Sequence, residues 1–288
     1  MHPLHDKVVL ITGGSSGIGR ATALRLAGYG AKVVVAARNA AALEDVVLAA
    51  GKLGAEALAV PTDVTDAEQC RRAVDRAVEH FGRLDILICS AGLSMRAYFS
   101  DSNLEAMQRV VHVNFLGTLH CTFYALPHIK KTHGSLVALS SLTGIRGVPS
   151  YGLYGATKFA IEGLYDSLRL ELKHDKVHVG VIAPGFVETP LREHVLGPSG
   201  QPWDNPPPPP FRIWPVEKCV DKIVHLLVWH RRHINLPWFM GPLFWLDEIV
   251  LRMIGNAILR YAFPRVLPRA DEPARLQGQP QVHADGKR

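Results

Sequence analysis

Tyr154 and Lys158 stand four residues apart in the stretch Tyr151-Gly152-Leu153-Tyr154-Gly155-Ala156-Thr157-Lys158. On a helix that spacing puts a phenol and an ammonium on one face. An isolated Tyr-x-x-x-Lys is weak evidence, and its surroundings strengthen it. The apolar run from Ser135 to Leu139 reads as a buried strand. Ser141 stands just past its end, separated from Tyr154 by a Gly-containing loop. A hydroxyl at a strand end, facing a phenol and an ammonium on the next helix, makes a proton-transfer site. A free phenol has a pKa of about 10. A nearby Lys cation favours the phenolate and is expected to lower that value. The phenol then passes a proton to or from a substrate oxygen, and Ser141 can hold the same oxygen. Ser140 is the alternative hydroxyl. Tyr151 reads as a wall of the substrate pocket.

Such a site needs an electron carrier, and the start of the chain offers its cradle. Residues 7–11 are a short β-branched run, followed by Thr12-Gly13-Gly14-Ser15-Ser16-Gly17-Ile18-Gly19 and then a helical pattern over 20–29. Strand, Gly-rich turn and helix bring backbone N–H groups and a helix N-terminus to a pyrophosphate. An ordinary strand-to-helix turn is the bland alternative, since the spacing is Gly-x-x-x-Gly-x-Gly rather than Gly-x-Gly-x-x-Gly.

Further strands are expected at 32–37, 56–60, 85–88, 135–140, 177–182 and 234–236. Helices are expected at 40–52, 66–80, 103–131, 154–174 and 216–229. Pro184-Gly185 should stop the sixth strand. Strands alternating with helices predict an α/β fold: a Rossmann-like, doubly wound parallel sheet with helices on both faces and ligands at the strand C-terminal ends. A C-terminal helical extension follows it.

Composition narrows the function classes. The chain has 288 residues, 48% of them hydrophobic, with a net charge of +6 and a pI near 9.2. That is enough for a large core. The positive charge is scattered, with no Lys/Arg run of five, so no nucleic-acid partner is expected. Cys70, Cys89, Cys121 and Cys219 lie far apart without Cys-x-x-Cys, which argues against a zinc site or disulfide framework and suits a reducing compartment. The fourteen His show no ligand spacing, so no metal is expected. Residues 8–11 are too short for a signal peptide's apolar segment, and acidic Asp6 precedes them. No apolar run reaches 18 residues. The expected location is cytoplasmic.

The ordered set Thr12-Gly13-x-x-x-Gly17-x-Gly19, Asp63, Asn114, Ser141, Tyr154, Lys158 and Pro184-Gly185-x-x-x-Thr189 resembles the short-chain dehydrogenase/reductase family over roughly residues 5–230. The resemblance implies nicotinamide-dependent oxidation of an alcohol or reduction of a carbonyl, in a homo-oligomer (dimer or tetramer). It makes Tyr154 the acid/base and Ser141 the holder of the substrate oxygen. Lys158 would bind the nicotinamide ribose, and Asn114 would support a proton relay through water. Cofactor contacts would come from Gly13, Ser15, Ser16, Gly17, Ile18, Gly19, Asp63, Val64, Ala91, Gly92, Pro184, Gly185 and Thr189, with Asp63 on the adenine and Thr189 on the carboxamide. Each residue has a bland reading too: Asn114 as a helix bridge, Lys158 as a solvated lysine. Two departures stand out. Cys89-Ser90-Ala91-Gly92 replaces the usual Asn-Asn-Ala-Gly, which puts side-chain bracing of the sheet in question, and the usual Asp-Gly-Gly ending is missing.

At the end of the second strand, many NAD-dependent relatives carry an acidic residue. This chain has Ala37 followed by Arg38, so NADP(H) is expected over NAD(H), with Arg38 on the 2′-phosphate. A solvated Arg38 is the bland alternative.

Residues 1–236 are expected to form the catalytic domain, with a substrate loop at about 186–214. That loop carries the run Pro206 to Pro210, which favours an extended segment and is a conceivable recruitment site for a proline-binding partner. Residues 237–263 form an amphipathic extension. Within 243–263, Glu248, Arg252, Asn256 and Arg260 make one polar stripe opposite a wide apolar face. That face must meet the substrate loop, a second subunit or a membrane surface, and it points to a steroid-, retinoid- or lipid-like substrate. Residues 264–288 are expected to be disordered. Two functions remain in view: an NADP-dependent oxidoreductase acting on an apolar alcohol or ketone, and a cofactor-binding regulator without turnover. The complete Asn/Ser/Tyr/Lys set favours the enzyme.

Overall fold

A computed structural model describes residues 1–192, 194–203 and 212–240. Seven strands form one parallel sheet: β1 (Val8–Thr12), β2 (Lys32–Ala37), β3 (Ala57–Pro61), β4 (Ile86–Cys89), β5 (Ser135–Leu139), β6 (His178–Pro184) and β7 (His233–Leu236). Their spatial order is β3-β2-β1-β4-β5-β6-β7. The chain runs outward from β1 to β3, then crosses back to place β4 on the other side of β1. The direction of winding therefore reverses between β1 and β4, and a crevice opens there at the strand C-terminal ends.

Parallel strands covered on both faces read as continuous apolar runs, and β1 shows how one run serves two cores. Val8 and Leu10 enter a cluster with Val34, Cys70, Ala77, Ile129 and Tyr165, while Val9 and Ile11 enter another with Val33, Leu26, Val46 and Ile223. The helices divide accordingly. α1 (Gly17–Ala27), α2 (Ala40–Lys52) and α7 (Val216–Val228) cover the second face. α3 (Ala67–Phe81), α5 (Gly117–Thr132) and α6 (Gly152–Glu171) cover the first.

Three boundaries differ from expectation in ways that matter for the site. The first helix begins at Gly17 rather than residue 20, so Gly17, Ile18 and Gly19 form its first turn. Pro184 does not end β6 early: it is the last paired residue, opposite Leu236. The long helix expected over 103–131 is α4 (Leu104–Val111) and α5 joined by a π turn, His112–Leu116, that carries Asn114.

The expectations for the Pro206–Pro210 run, for the apolar segment 243–263 and for the tail 264–288 lie outside the described residues. Among the described residues, no helix is long and apolar enough to cross a membrane.

Candidate active site

The cradle is built by packing as much as by chain flexibility. Gly13 has φ +67°, and a Cβ there would stand 2.8 Å from the Ala91 backbone; a Cβ on Gly19 would stand 2.3 Å from the Gly13 carbonyl oxygen. The first turn of α1 is thereby pressed against the loops after β1 and β4. Ser16 is the N-cap, but its side chain caps no N–H, and the first turn has no acidic residue. The leading N–H groups of α1 are left for an outside acceptor, and the helix dipole favours an anion there. The donor set fits a dinucleotide pyrophosphate. Gly14, by contrast, packs on Val35 and serves the core.

Thr12 was quoted in the sequence without a role, and the structure gives it one. Its hydroxyl oxygen accepts the Ser90 N–H at 3.1 Å and the Ala91 N–H at 3.2 Å, tying the end of β1 to the loop after β4. Bracing that the Cys89-Ser90 departure put in question comes from this threonine. Cys89 turns into the core beside Thr122 and Tyr165, and burial pushes its thiol up to about 12.

The other residues expected at the cofactor sit on the same edge. Thr189 faces Gly17, with its Cβ 3.3 Å from where a Gly17 Cβ would lie. The Gly185 N–H donates to the Leu236 carbonyl at 2.8 Å, fixing the turn after Pro184. Asp63 accepts from the Thr65 N–H and hydroxyl through one carboxylate oxygen. Val64 is buried, with its carbonyl against Cys70 and His120. Arg38 is exposed just past β2, and Asn39 after it caps α2 by accepting from Ala42.

The four expected catalytic residues converge. Ser141 follows β5; its hydroxyl accepts the Thr143 N–H at 3.3 Å and sits close enough to the Tyr154 phenol to favour its ionised form. Ser140 points elsewhere, donating to the Lys158 carbonyl at 3.4 Å, so of the two hydroxyls Ser141 is the one on the Tyr154 side. Lys158 is buried; its Nζ donates to the Leu139 carbonyl at 2.8 Å and lies 5.7 Å from the Tyr154 ring centre. A Cβ on Gly92 would lie 3.3 Å from Asn114 Oδ1 and 3.8 Å from Lys158 Nζ, so the cofactor-side loop, Asn114 and Lys158 share one small space.

One electrostatic expectation has the opposite sign. Burial pushes the Tyr154 phenol up to about 12, with the Ser141 hydrogen bond pulling the other way. Burial also brings Lys158 down to about 8. Spacing alone reports that two groups meet. It does not report that Lys158 is buried and Tyr154 half-buried, and desolvation is the larger effect here.

Asn114 is fully buried, and its amide is fully used. Oδ1 accepts the Leu93 N–H at 2.7 Å, while Nδ2 donates to the Leu93 carbonyl at 2.9 Å and to the Thr157 hydroxyl at 3.1 Å. Its backbone carbonyl accepts from the Thr118 hydroxyl at 2.8 Å. Sequence reasoning found Asn114 but missed Thr157, whose only local signal was a hydroxyl three residues after Tyr154.

Comparison with known proteins gives the same picture. Residues 7–197 match the family model for short chain dehydrogenase. The chain is 34% identical over 248 residues to the 11-beta-hydroxysteroid dehydrogenase-like 4A protein of Arabidopsis thaliana, covering 85% of this chain and 81% of that one. An alcohol dehydrogenase from Thermococcus sibiricus, solved with 5-hydroxy-NADP, superposes with a TM-score of 0.70 at 25% identity over 80% of this chain and 95% of its own. A short chain dehydrogenase from Mycobacterium paratuberculosis bound to NAD has the same fold, with a TM-score of 0.71 at 24% identity over 81% and 97% of the two chains. A family match over most of the catalytic core, together with a site that keeps the family's proton-transfer residues, places this chain in the short-chain dehydrogenase/reductase family as an NAD(P)-dependent oxidoreductase.

Proposed function

We propose that the protein is an NADP(H)-preferring reductase of apolar ketones, with Tyr154 as the proton donor. The observation that carries the substrate class is a cavity of about 130 Å³ that reaches Tyr154, with Met95, Ala97, Phe99, Val148, Pro149 and Leu153 outnumbering Ser102 and Ser150 in its wall. Met95 and Ala97 of that wall also belong to an apolar cluster with Met107, Val110 and Leu196. A wall of this kind favours a hydrocarbon frame over a sugar. The steroid named in the Arabidopsis relative's description is of this class. A larger groove, about 690 Å³, runs along α1 and α7 and touches the cradle only at Gly17.

Bound nicotinamide supplies the hydride in reduction and accepts it in oxidation. The chain's own groups handle the proton. Ser141 holds the carbonyl oxygen and Tyr154 donates to it, a role suited to a phenol that burial keeps protonated at neutral pH. Lys158 would bind the ribose hydroxyls. Its cation stabilises the negative charge left on Tyr154 after the proton leaves. Asn114 has no side-chain hydrogen left to give, so its part is positional, and a relay water would rest on its backbone carbonyl.

NADP(H) preference rests on Ala37 and the exposed Arg38, with no carboxylate at either position to repel a 2′-phosphate. A charge-assisted hydrogen bond of roughly 1.5–3 kcal/mol is worth about 10–150-fold in affinity. Wild-type protein should therefore consume NADPH with a panel of bulky apolar ketones, and Arg38→Ala should lower the NADPH/NADH preference by that factor. An unchanged preference removes Arg38 from the assignment, and activity confined to small polar carbonyls removes the substrate class.

Trp238 and Phe239 are 73% and 51% exposed at the end of the last described strand, edge-to-face with one another. They support the reading that this end of the chain meets a lipid headgroup boundary, where indole rings are favoured. Liposome flotation should separate the full chain from a form ending at Pro237. Equal flotation of the two removes the membrane reading and leaves the substrate loop or a second subunit as the cover.

A further inference from the structure

We propose that Thr157 is a positioning residue for the reaction: its hydroxyl locks the first turn of α6, which carries Tyr154, to Asn114 and through it to the loop after β4. The proposal rests on the catalytic role given to Tyr154 above.

The hydrogen bonds leave no freedom in how this link is read. The Thr157 hydroxyl lies 2.7 Å from the Tyr154 carbonyl oxygen, an acceptor only, so its single hydrogen goes there. The contact to Asn114 Nδ2 at 3.1 Å must then be a donation from Asn114. The orientation of that amide is fixed independently. The other end of Asn114 pairs with both the N–H and the carbonyl of Leu93, and a flipped amide would set donor against donor and acceptor against acceptor. The chain of contacts therefore runs from Leu93 through Asn114 and Thr157 to the backbone of Tyr154, with Thr157 and Asn114 both buried.

This link spans elements that could otherwise move against one another. Leu93 belongs to the loop that follows Gly92, on the cofactor side. Asn114 lies in the π turn, where an extra residue in the helical repeat turns the side chain toward α6. Tyr154 lies in the first turn of α6, which has no side-chain N-cap at Tyr151. That start of the helix has no side-chain cap, and Thr157 ties it to Asn114 across the site. Proton transfer is sensitive to placement, and misplacement by about 1 Å can cost on the order of 100-fold.

Thr157→Val keeps the shape and removes both the donor and the acceptor. Asn114 Nδ2 then loses a partner inside the protein. With NADPH and the best ketone of the panel, kcat should fall about 10–100-fold, with the NADPH dissociation constant changed less than about threefold. The pH at which kcat is half-maximal should move by about half a unit or more, because the phenol sits differently against Ser141 and Lys158. Thr157→Ser retains the hydroxyl and should restore kcat to within about threefold of wild type. Asn114→Ala combined with Thr157→Val should be no slower than Asn114→Ala alone, as expected of two residues acting through one contact.

The proposal is overturned if folded Thr157→Val keeps kcat within about threefold. It is also overturned if the Val and Ser variants lose activity equally while the pH profile stays in place, since that pattern marks packing alone. If wild type turns over no carbonyl compound, the functional reading fails and this proposal with it. Active wild type with an indifferent Thr157→Val sinks only the proposal.

Discussion

Replacing Tyr154 with Phe should abolish ketone reduction while leaving NADPH binding nearly intact. The substitution deletes one oxygen. That oxygen is the one whose ionisation Ser141 favours, on a residue that lines the cavity. General acid/base groups typically contribute about 10²–10⁴-fold, and loss of that order in kcat/KM is expected. The ring remains, so its packing near Tyr151 at 6.3 Å and beneath Lys158 should persist. Steady-state rates set beside a fluorescence titration with NADPH read the two effects separately. Retention of more than about a tenth of wild-type activity is incompatible with a contribution of that size. The pH dependence has a definite sign in wild type. Burial holds the phenol protonated, up to about 12, so the form that donates in reduction prevails at neutral pH. The form that accepts a proton in alcohol oxidation grows as pH rises. Oxidation should therefore climb with pH throughout the accessible range, and a reverse trend would mean that another group carries the proton.

The sequence made some of this legible and hid the rest for reasons that can be named. β1, β2 and β6 were readable because a strand buried on both faces has no polar side to interrupt it, and their order with the helices allowed only a parallel sheet. Tyr154 and Lys158 were readable because their relation is local, four residues on one helix. The π turn at His112–Leu116 was not, because the flanking helices keep their own periodicity and one extra residue leaves no compositional mark. Thr157 was missed because its partner, Asn114, is 43 residues away. The sign of the Tyr154 shift was missed for a related reason. Charge can be read from residue types, but exclusion of water depends on the whole fold around the site.

Asp85→Ala should destabilise the protein by about 3–4 kcal/mol without touching the chemistry. Asp85 lies just before β4, 1% exposed, at the end of the sheet opposite the catalytic edge. One carboxylate oxygen accepts the Val8 N–H at 3.0 Å and Arg83 Nε at 2.9 Å; the other accepts Arg83 Nη2 at 2.6 Å and lies 3.6 Å from Lys7 Nζ. Its backbone pairs on both sides, donating to the Val8 carbonyl and accepting from the Ser135 N–H, each at 2.9 Å. Three adjacent strands thus start from this residue. Deleting a paired buried charge commonly costs about 3–5 kcal/mol. The lower part of that range applies, because Arg83 and Lys7 are half-exposed and regain water when the carboxylate goes. The Val8 amide does not regain water, and its orphaning alone is worth about 1–3 kcal/mol. Asp85→Asn keeps an acceptor for that amide and gives up the ion pairs, so its loss should be about half as large. Urea unfolding of the three forms measures the series, and kcat of the folded variants should match wild type. A loss under about 1 kcal/mol in Asp85→Ala would mean that water replaces the carboxylate at Val8. A fall in kcat at unchanged stability would mean that the two ends of the sheet are coupled.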